Sequence, residues 1–200
     1  MAAPRFIERD PLAPGFWNER FEQQFTPWDQ GGVPPELMRF VAQAPVPLTT
    51  LIPGCGMGYE VRHLAQAGWP VTAIDFSPAA VAVAKAALGE FSGHVQEADF
   101  FSFEPAQPVT FIYERAFLCA MPRARWADII ARWASLLAPG AALGGFFFYD
   151  ETPKGPPFGA DRAALDALML PYFVLIEDAP AGQSIAVFEG KERWQVWQRR

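Results

Sequence analysis

A glycine-rich turn, two well-spaced acids and one arginine carry the chemistry most readable in this sequence. Pro53-Gly54-Cys55-Gly56-Met57-Gly58 sets glycines at alternate positions, which lets the backbone turn sharply and leaves no Cβ to hold off a ligand. Asp75 ends the next apolar run, roughly 20 residues on, where an acid accepts hydrogen bonds from both hydroxyls of a ribose. Gly54 and Gly56 together with Asp75 therefore point to a nucleoside-binding site rather than to a plain strand-to-helix turn. A dinucleotide fingerprint wants its third glycine where Tyr59 stands. The G-x-G-x-G spacing instead suits S-adenosylmethionine, which has no pyrophosphate to seat on the helix N-terminus. Asp99, after a third strand, suits the adenine amino group, or serves simply as a loop or cap acid. Arg115, after a fourth strand, either lies at the reaction centre or forms an ordinary salt bridge.

These residues need a scaffold that brings loops together. Leu48–Ile52, Val71–Ile74, Val109–Tyr113 and Ala141–Tyr149 are apolar runs without alternation, as expected of strands buried on both faces. A weaker strand covers His94–Gln96, and Tyr172–Glu177 and Glu192–Gln198 close the chain. Helical segments alternate with them: Tyr59–Ala67, an alanine-rich helix capped by Ser77-Pro78, a striped helix with Trp126, Ile129, Ile130, Trp133, Leu136 and Leu137, and Asp161–Leu170. Alternation of this kind predicts a doubly wound, mostly parallel α/β sheet, with ligands beyond the carboxyl ends of its strands. Residues 1–47 read as an N-terminal helical cover over a core of residues 48–200, the whole forming one domain.

The chain has 200 residues, 51% hydrophobic and 19% charged, which excludes disorder. Its 16 Lys and Arg against 22 Asp and Glu give a net charge of −6. An acidic balance with no basic block argues against a nucleic-acid-gripping role, and no Asn/Asp-Pro-Pro-Tyr motif stands at Tyr113-Glu114-Arg115-Ala116. Residues 1–10 carry four charges where a signal core would be apolar, and no run is long enough to span a bilayer. The expectation is a cytoplasmic protein acting on a small molecule without a membrane or nucleic-acid partner, as a monomer, an oligomer remaining open. Cys55, Cys119, His63 and His94 are too few and too scattered to build a metal site, so no metal is expected, and the two cysteines read as packing.

Five blocks in order resemble the thiopurine S-methyltransferase family, including the related plant halide/thiol methyltransferases. They are Thr26-Pro27-Trp28-Asp29-Gln30-Gly31, Pro53-Gly54-Cys55-Gly56, Ile74-Asp75-Phe76-Ser77, Tyr113-Glu114-Arg115-Ala116 and Lys154-Gly155-Pro156-Pro157-Phe158. The resemblance runs from about Phe16 to Trp197. It implies a class I, Rossmann-like methyltransferase fold with a seven-stranded sheet, its last strand antiparallel, and S-adenosylmethionine as methyl donor. Carried over by position, it places Trp17 and Trp28 over the donor, Gly54 at its methionine part, Asp75 at its ribose, and Asp99 with Phe100 at its adenine. Arg115 falls at the methyl-transfer site, where plant halide enzymes tend to have Tyr. This tilts the chain toward the thiopurine side of the family.

The expected reaction is methyl transfer to a small soft nucleophile: a thiol, a thiopurine-like compound, or a chalcogen or halide anion. A fixed guanidinium at Arg115 favours a thiolate over its thiol and equally holds an inorganic anion. Trp17 and Phe21 lie at helical spacing and read either as core or, with Trp28, as a lid that excludes water and faces a cation. Tyr149, Asp150 and Phe158, beside the Gly-Pro-Pro loop, are candidates for the acceptor pocket or form an ordinary turn. Two other accounts are a non-catalytic nucleoside-binding protein and, against Tyr59, an NAD-dependent oxidoreductase.

Overall fold

The structure is a computed structural model that describes residues 4–152, 154–185 and 187–200. Three of its strands form where the sequence offers short, largely buried apolar runs, β1 (Thr50–Pro53), β2 (Val71–Asp75) and β4 (Val109–Arg115), while the short β3 (Val95–Glu97) buries only Val95. β5 (Leu137–Phe148), β6 (Phe173–Pro180) and β7 (Glu192–Arg199) complete one seven-stranded sheet in the order β3-β2-β1-β4-β5-β7-β6. β1 to β5 pair in parallel, whereas β7 runs antiparallel to both of its neighbours, β5 and β6. Strand order reverses between β1 and β4, so the loops leaving those two strands open a crevice between them.

Helices cover both faces. On one, α5 (Trp126–Leu136) buries Trp126, Ile129, Ile130 and Trp133, and α6 (Arg162–Met169) buries Leu165 and Met169. On the other, α2 (Pro35–Gln43), α3 (Tyr59–Gln66) and α4 (Pro78–Leu88) bury Leu37, Val61, Leu64, Ala84 and Leu88 against Phe111, Tyr113 and Trp194. Phe40 of α2 stacks on Phe111, with ring centroids 4.8 Å apart. The cap predicted for α4 is present: Ser77 Oγ accepts from the Ala80 amide at 3.1 Å, and Pro78 occupies the first turn.

α1 (Pro14–Glu22) lies on α4 through a small cluster of Phe16, Trp17, Phe21 and Ala80. Asn18 fixes it there, its Oδ1 accepting from the Ser77 hydroxyl at 2.7 Å and the Ala79 amide at 3.2 Å. The cover is thus bonded to the N-terminus of the helix that follows Asp75.

β5 begins four residues before the apolar run that announces it. Leu137 pairs with Val109 directly after α5, while Ala138, Pro139 and Gly140 are exposed and give no apolar signal. β4 likewise continues past Tyr113 through Glu114 and Arg115, charged residues that pair with Gly145 and Phe146. Among the described residues, no helix is long and apolar enough to cross a membrane.

Candidate methyl-transfer site

The loop from β1 to α3 turns on three positive-φ glycines, Gly54, Gly56 and Gly58. Gly54 also faces the ring of Phe117 so closely that a Cβ there would lie 2.8 Å from it, so both backbone angle and space demand glycine. Asp75 ends the neighbouring strand with its carboxylate aimed back at this loop. Its Oδ2 accepts from the Gly56 amide at 3.4 Å and its Oδ1 from the Ser77 amide at 2.9 Å. Burial pushes this carboxyl up to about 6, against the pull of the backbone amides. Ionised at pH 7 but buried, this carboxylate beside a bare backbone bend can accept further hydrogen bonds from a ligand's hydroxyls.

The crevice is a cavity of about 640 Å³, within the size range of small-molecule sites. Gly54, Gly56 and Asp75 form its floor, and Asp99 and Phe100 line the end beyond β3. Asp99 Oδ1 accepts from the Phe101 amide at 2.8 Å, and the Phe100 ring packs edge-on against Phe117 at 5.0 Å. Trp17, Phe21 and Trp28 also line it, Phe21 beside Gly56, and Trp28 meets Trp17 at 5.5 Å and Phe21 at 6.0 Å, both edge to face. Phe16, Trp17 and Phe21, which bury α1 against α4, thus also line the cavity.

Arg115 stands at the end of β4 in the same cavity. Its guanidinium lies over the Phe146 ring at 4.1 Å, donates to Gln30 Oε1 at 2.5 Å and faces Glu192 at 3.7 Å. Its side chain is 13% exposed, and Nη1 is buried without a hydrogen-bond acceptor among the described residues. Glu192 in turn accepts from Ser184 Oγ. The salt bridge that the sequence offers as one reading of Arg115 is present, to Glu192, and the residue also lines the cavity.

Tyr149, Asp150 and Phe158 are not brought to the cavity. The Tyr149 hydroxyl donates to Gln195 Oε1 at 3.0 Å on β7, and burial pushes its pKa up to about 12. Asp150 is drawn off by Lys191 Nζ at 2.7 Å, which holds its carboxyl down at about 2. Phe158 packs against the α5–α6 core, its amide donating to the Cys119 carbonyl at 2.6 Å. The Gly155-Pro156-Pro157 stretch between them does reach the wall, together with Phe188. Phe188 is a lone aromatic in a loop, and nothing in its sequence context marks it.

Cys55 and Cys119 are buried, and that burial raises both thiols well above their ordinary range, so neither is a ready nucleophile. No group of three metal-ligating side chains occurs among the described residues. Tyr59, where a dinucleotide site wants glycine, opens α3 and donates its hydroxyl to Asp29 Oδ2 at 3.2 Å.

Glu114 shapes the site from behind. It is 1% exposed, and its Oε1 accepts the Phe117 and Leu118 amides, each at 3.0 Å. This turns the chain after β4 so that Phe117 meets Gly54 and Phe100. Burial pushes the carboxyl up to about 8, so it is neutral at pH 7. A raised folded-state pKa gives stability that is complete below about 4.5 and lost as pH rises through about 8. Stability should therefore drop by about 1 kcal/mol between pH 7 and pH 9, a fall of roughly 2–4 °C in Tm. Glu114→Gln, which keeps the acceptor oxygen, should flatten that fall in thermal melts at the two pH values; an unchanged pH response would show Glu114 ionised throughout.

A mostly parallel sheet whose order reverses over a glycine bend and a buried carboxylate, with helices on both faces, is the architecture of class I S-adenosylmethionine-dependent methyltransferases. Solved structures share the architecture. A 1,6-didemethyltoxoflavin N1-methyltransferase from Burkholderia thailandensis superposes with a TM-score of 0.74 at 15% identity, covering 93% of this chain and 86% of that one. Magnesium protoporphyrin IX methyltransferase from Synechocystis gives 0.69 at 18% identity, over 94% and 95%. The family model for thiopurine S-methyltransferase matches residues 12–200, and the chain belongs to that family. Among its relatives, thiocyanate methyltransferase 1 of Arabidopsis thaliana is 29% identical over 92% of this chain and 85% of its own. A thiopurine S-methyltransferase of Shewanella baltica is 29% identical over 74% and 77%.

Proposed function

We propose that this chain methylates the sulfur of a small thiol, or a soft anion such as a pseudohalide, halide or chalcogen species, with Arg115 holding the nucleophile. S-adenosylmethionine supplies a methyl group already activated on its sulfonium. What remains for the protein is to bind, align and exclude water, and alignment alone supplies roughly 7–11 kcal/mol of barrier lowering. Asp75 accepts the ribose hydroxyls, Gly54 and Gly56 admit the donor's backbone-hugging part, and Asp99 with Phe100 takes the adenine. Trp17 and Trp28 wall the cavity with rings that suit a cation and keep water out. Arg115 lowers the pKa of a thiol beside it, and a shift of one unit multiplies the thiolate fraction about tenfold.

The observation that carries this reading is the Arg115 guanidinium in the cavity wall, whose Nη1 has no hydrogen-bond acceptor among the described residues and meets the Glu192 carboxylate only at 3.7 Å. A relative named for thiocyanate and others named for thiopurines support the same acceptor chemistry. A cytoplasmic setting belongs to this reading, and the two free, buried thiols are compatible with reducing surroundings.

The test is methyl transfer from S-adenosylmethionine to a panel of hydrosulfide, thiocyanate, iodide, an aryl thiol and a thiopurine. At least one acceptor should turn over. Arg115→Met should lower kcat/KM by about 10- to 100-fold, the worth of one hydrogen bond to a charged group, while S-adenosylhomocysteine affinity stays within about twofold. Full activity in Arg115→Met, or silence across the panel, overturns the proposal.

A further inference from the structure

Besides Asp75, the acids Glu114, Glu192 and Glu60 are buried beside the cavity or in its wall. Glu114 holds two backbone amides, and Glu192 takes the Ser184 hydroxyl and faces Arg115. Glu60 has no comparable occupation. It sits in the first turn of α3, immediately after the glycine loop, is 9% exposed and lines the cavity. Its one side-chain partner among the described residues is the Tyr113 hydroxyl, which donates to Oε1 from 3.5 Å, the outer edge of a hydrogen bond.

An acid in a helix's first turn is ordinarily solvated, where it complements the dipole without loss of hydration. Buried here, it forfeits that hydration and calls for a cation. Among the described residues, no Lys, Arg or His lies within 4.0 Å of it; Arg115, engaged with Gln30 and Glu192, eases its charge only from farther away. Asp29, the other acid at this end of the cavity, adds to the negative potential rather than relieving it. On β1, two residues before Gly54, stands the buried Ile52, so the strand supplies no carboxylate to the same region.

We propose that Glu60 receives the α-ammonium of the donor's methionine part. The acid comes from the helix after the glycine loop rather than from the strand before it, and the Tyr113 hydroxyl sets its rotamer. Glu60 is then a binding residue for the amino-acid tail, which fixes the donor lengthwise between Asp75 at the ribose and α3 at the ammonium. The inference rests on the donor occupying the cavity floored by Gly54 and Asp75.

Calorimetric titration of the full chain with S-adenosylhomocysteine and with its deamino analogue, in which hydrogen replaces the ammonium, tests it. The native chain should bind S-adenosylhomocysteine at least about tenfold more tightly than the analogue. Glu60→Gln should abolish that preference, weakening S-adenosylhomocysteine by at least about tenfold while leaving the analogue within about twofold. Glu60→Asp, which keeps the charge but withdraws it by one methylene, is the second variant and should lose part of the preference. Equal binding of the two ligands to the native chain, an equal loss for both in Glu60→Gln, or an undiminished preference in Glu60→Asp each overturns the assignment. Asp75→Ala separates this failure from that of the donor site. If it weakens both ligands while the ammonium contributes nothing, only Glu60 is misassigned; if neither ligand responds to Asp75, or neither binds, the donor does not occupy this cavity and the Glu60 assignment falls with it.

Discussion

Asp75→Ala should weaken S-adenosylhomocysteine binding by at least about 100-fold, because hydrogen bonds to a charged group are worth about 1.5–3 kcal/mol each and two ribose hydroxyls lose theirs together. The same residue dictates a pH signature. Its carboxyl titrates at about 6 because burial opposes its charge, so the ionised acceptor is the minor form below that pH. Donor affinity should then fall about tenfold for each pH unit below 6 and level off above it. Asp75→Asn should bind weakly at every pH. For folding the sign runs the other way: the raised pKa gives stability complete below about 3.8 and lost as pH rises through about 6. Above pH 7 the ligand-free protein therefore carries a buried charge costing about 3 kcal/mol, and Asp75→Asn should raise its Tm there even as binding fails. Titration calorimetry from pH 5 to pH 8 and thermal melts check both halves. A pH-flat native affinity would remove Asp75 from the ribose.

The largest effect on the fold belongs to Gly145→Ala. Gly145 pairs with Glu114 across the parallel β4–β5 ladder, and a Cβ there would lie 1.9 Å from the Glu114 carbonyl oxygen and 2.7 Å from its carbonyl carbon. Both are backbone atoms in the middle of a sheet, so no side chain can swing aside. Separating the strands should cost at least about 3 kcal/mol, or roughly 6–12 °C in Tm. What survives should also be catalytically poor, since Glu114 and Arg115 leave that strand together. Normal melting and normal turnover in this variant would mean the two strands are farther apart than described.

How much of this was legible beforehand follows from what each residue does. β1, β2 and β4 are buried on both faces, so their apolar runs announce them, and Ser77-Pro78 announces α4 by its own capping chemistry. Gly54 and Asp75 were readable because the fold forces a bend and an acid into neighbouring loops. The first residues of β5 were not, since Ala138 to Gly140 pair by backbone alone and face solvent. Tyr149, Asp150 and Phe158 looked like pocket residues because they flank a loop beyond a strand. Nearness in sequence does not say which way a side chain points, and Gln195, Lys191 and the core claim them instead. Glu60 escaped for a related reason: a charged residue in an amphipathic helix reads as the wet face, and only the packing of α3 against Tyr113 reveals it as dry.

Three polar contacts tie the N-terminal region to the cavity's surroundings: Gln30 to Arg115, Asp29 to Tyr59, and Asn18 to the cap two residues past Asp75. Gln30 lies in the stretch between α1 and α2, so this stretch cannot shift without removing a hydrogen-bond partner of the Arg115 guanidinium. A substitution in residues 26–32 that displaces Gln30 therefore disturbs the surroundings of Arg115, at the far end of β4 in the sequence, as directly as one made beside it.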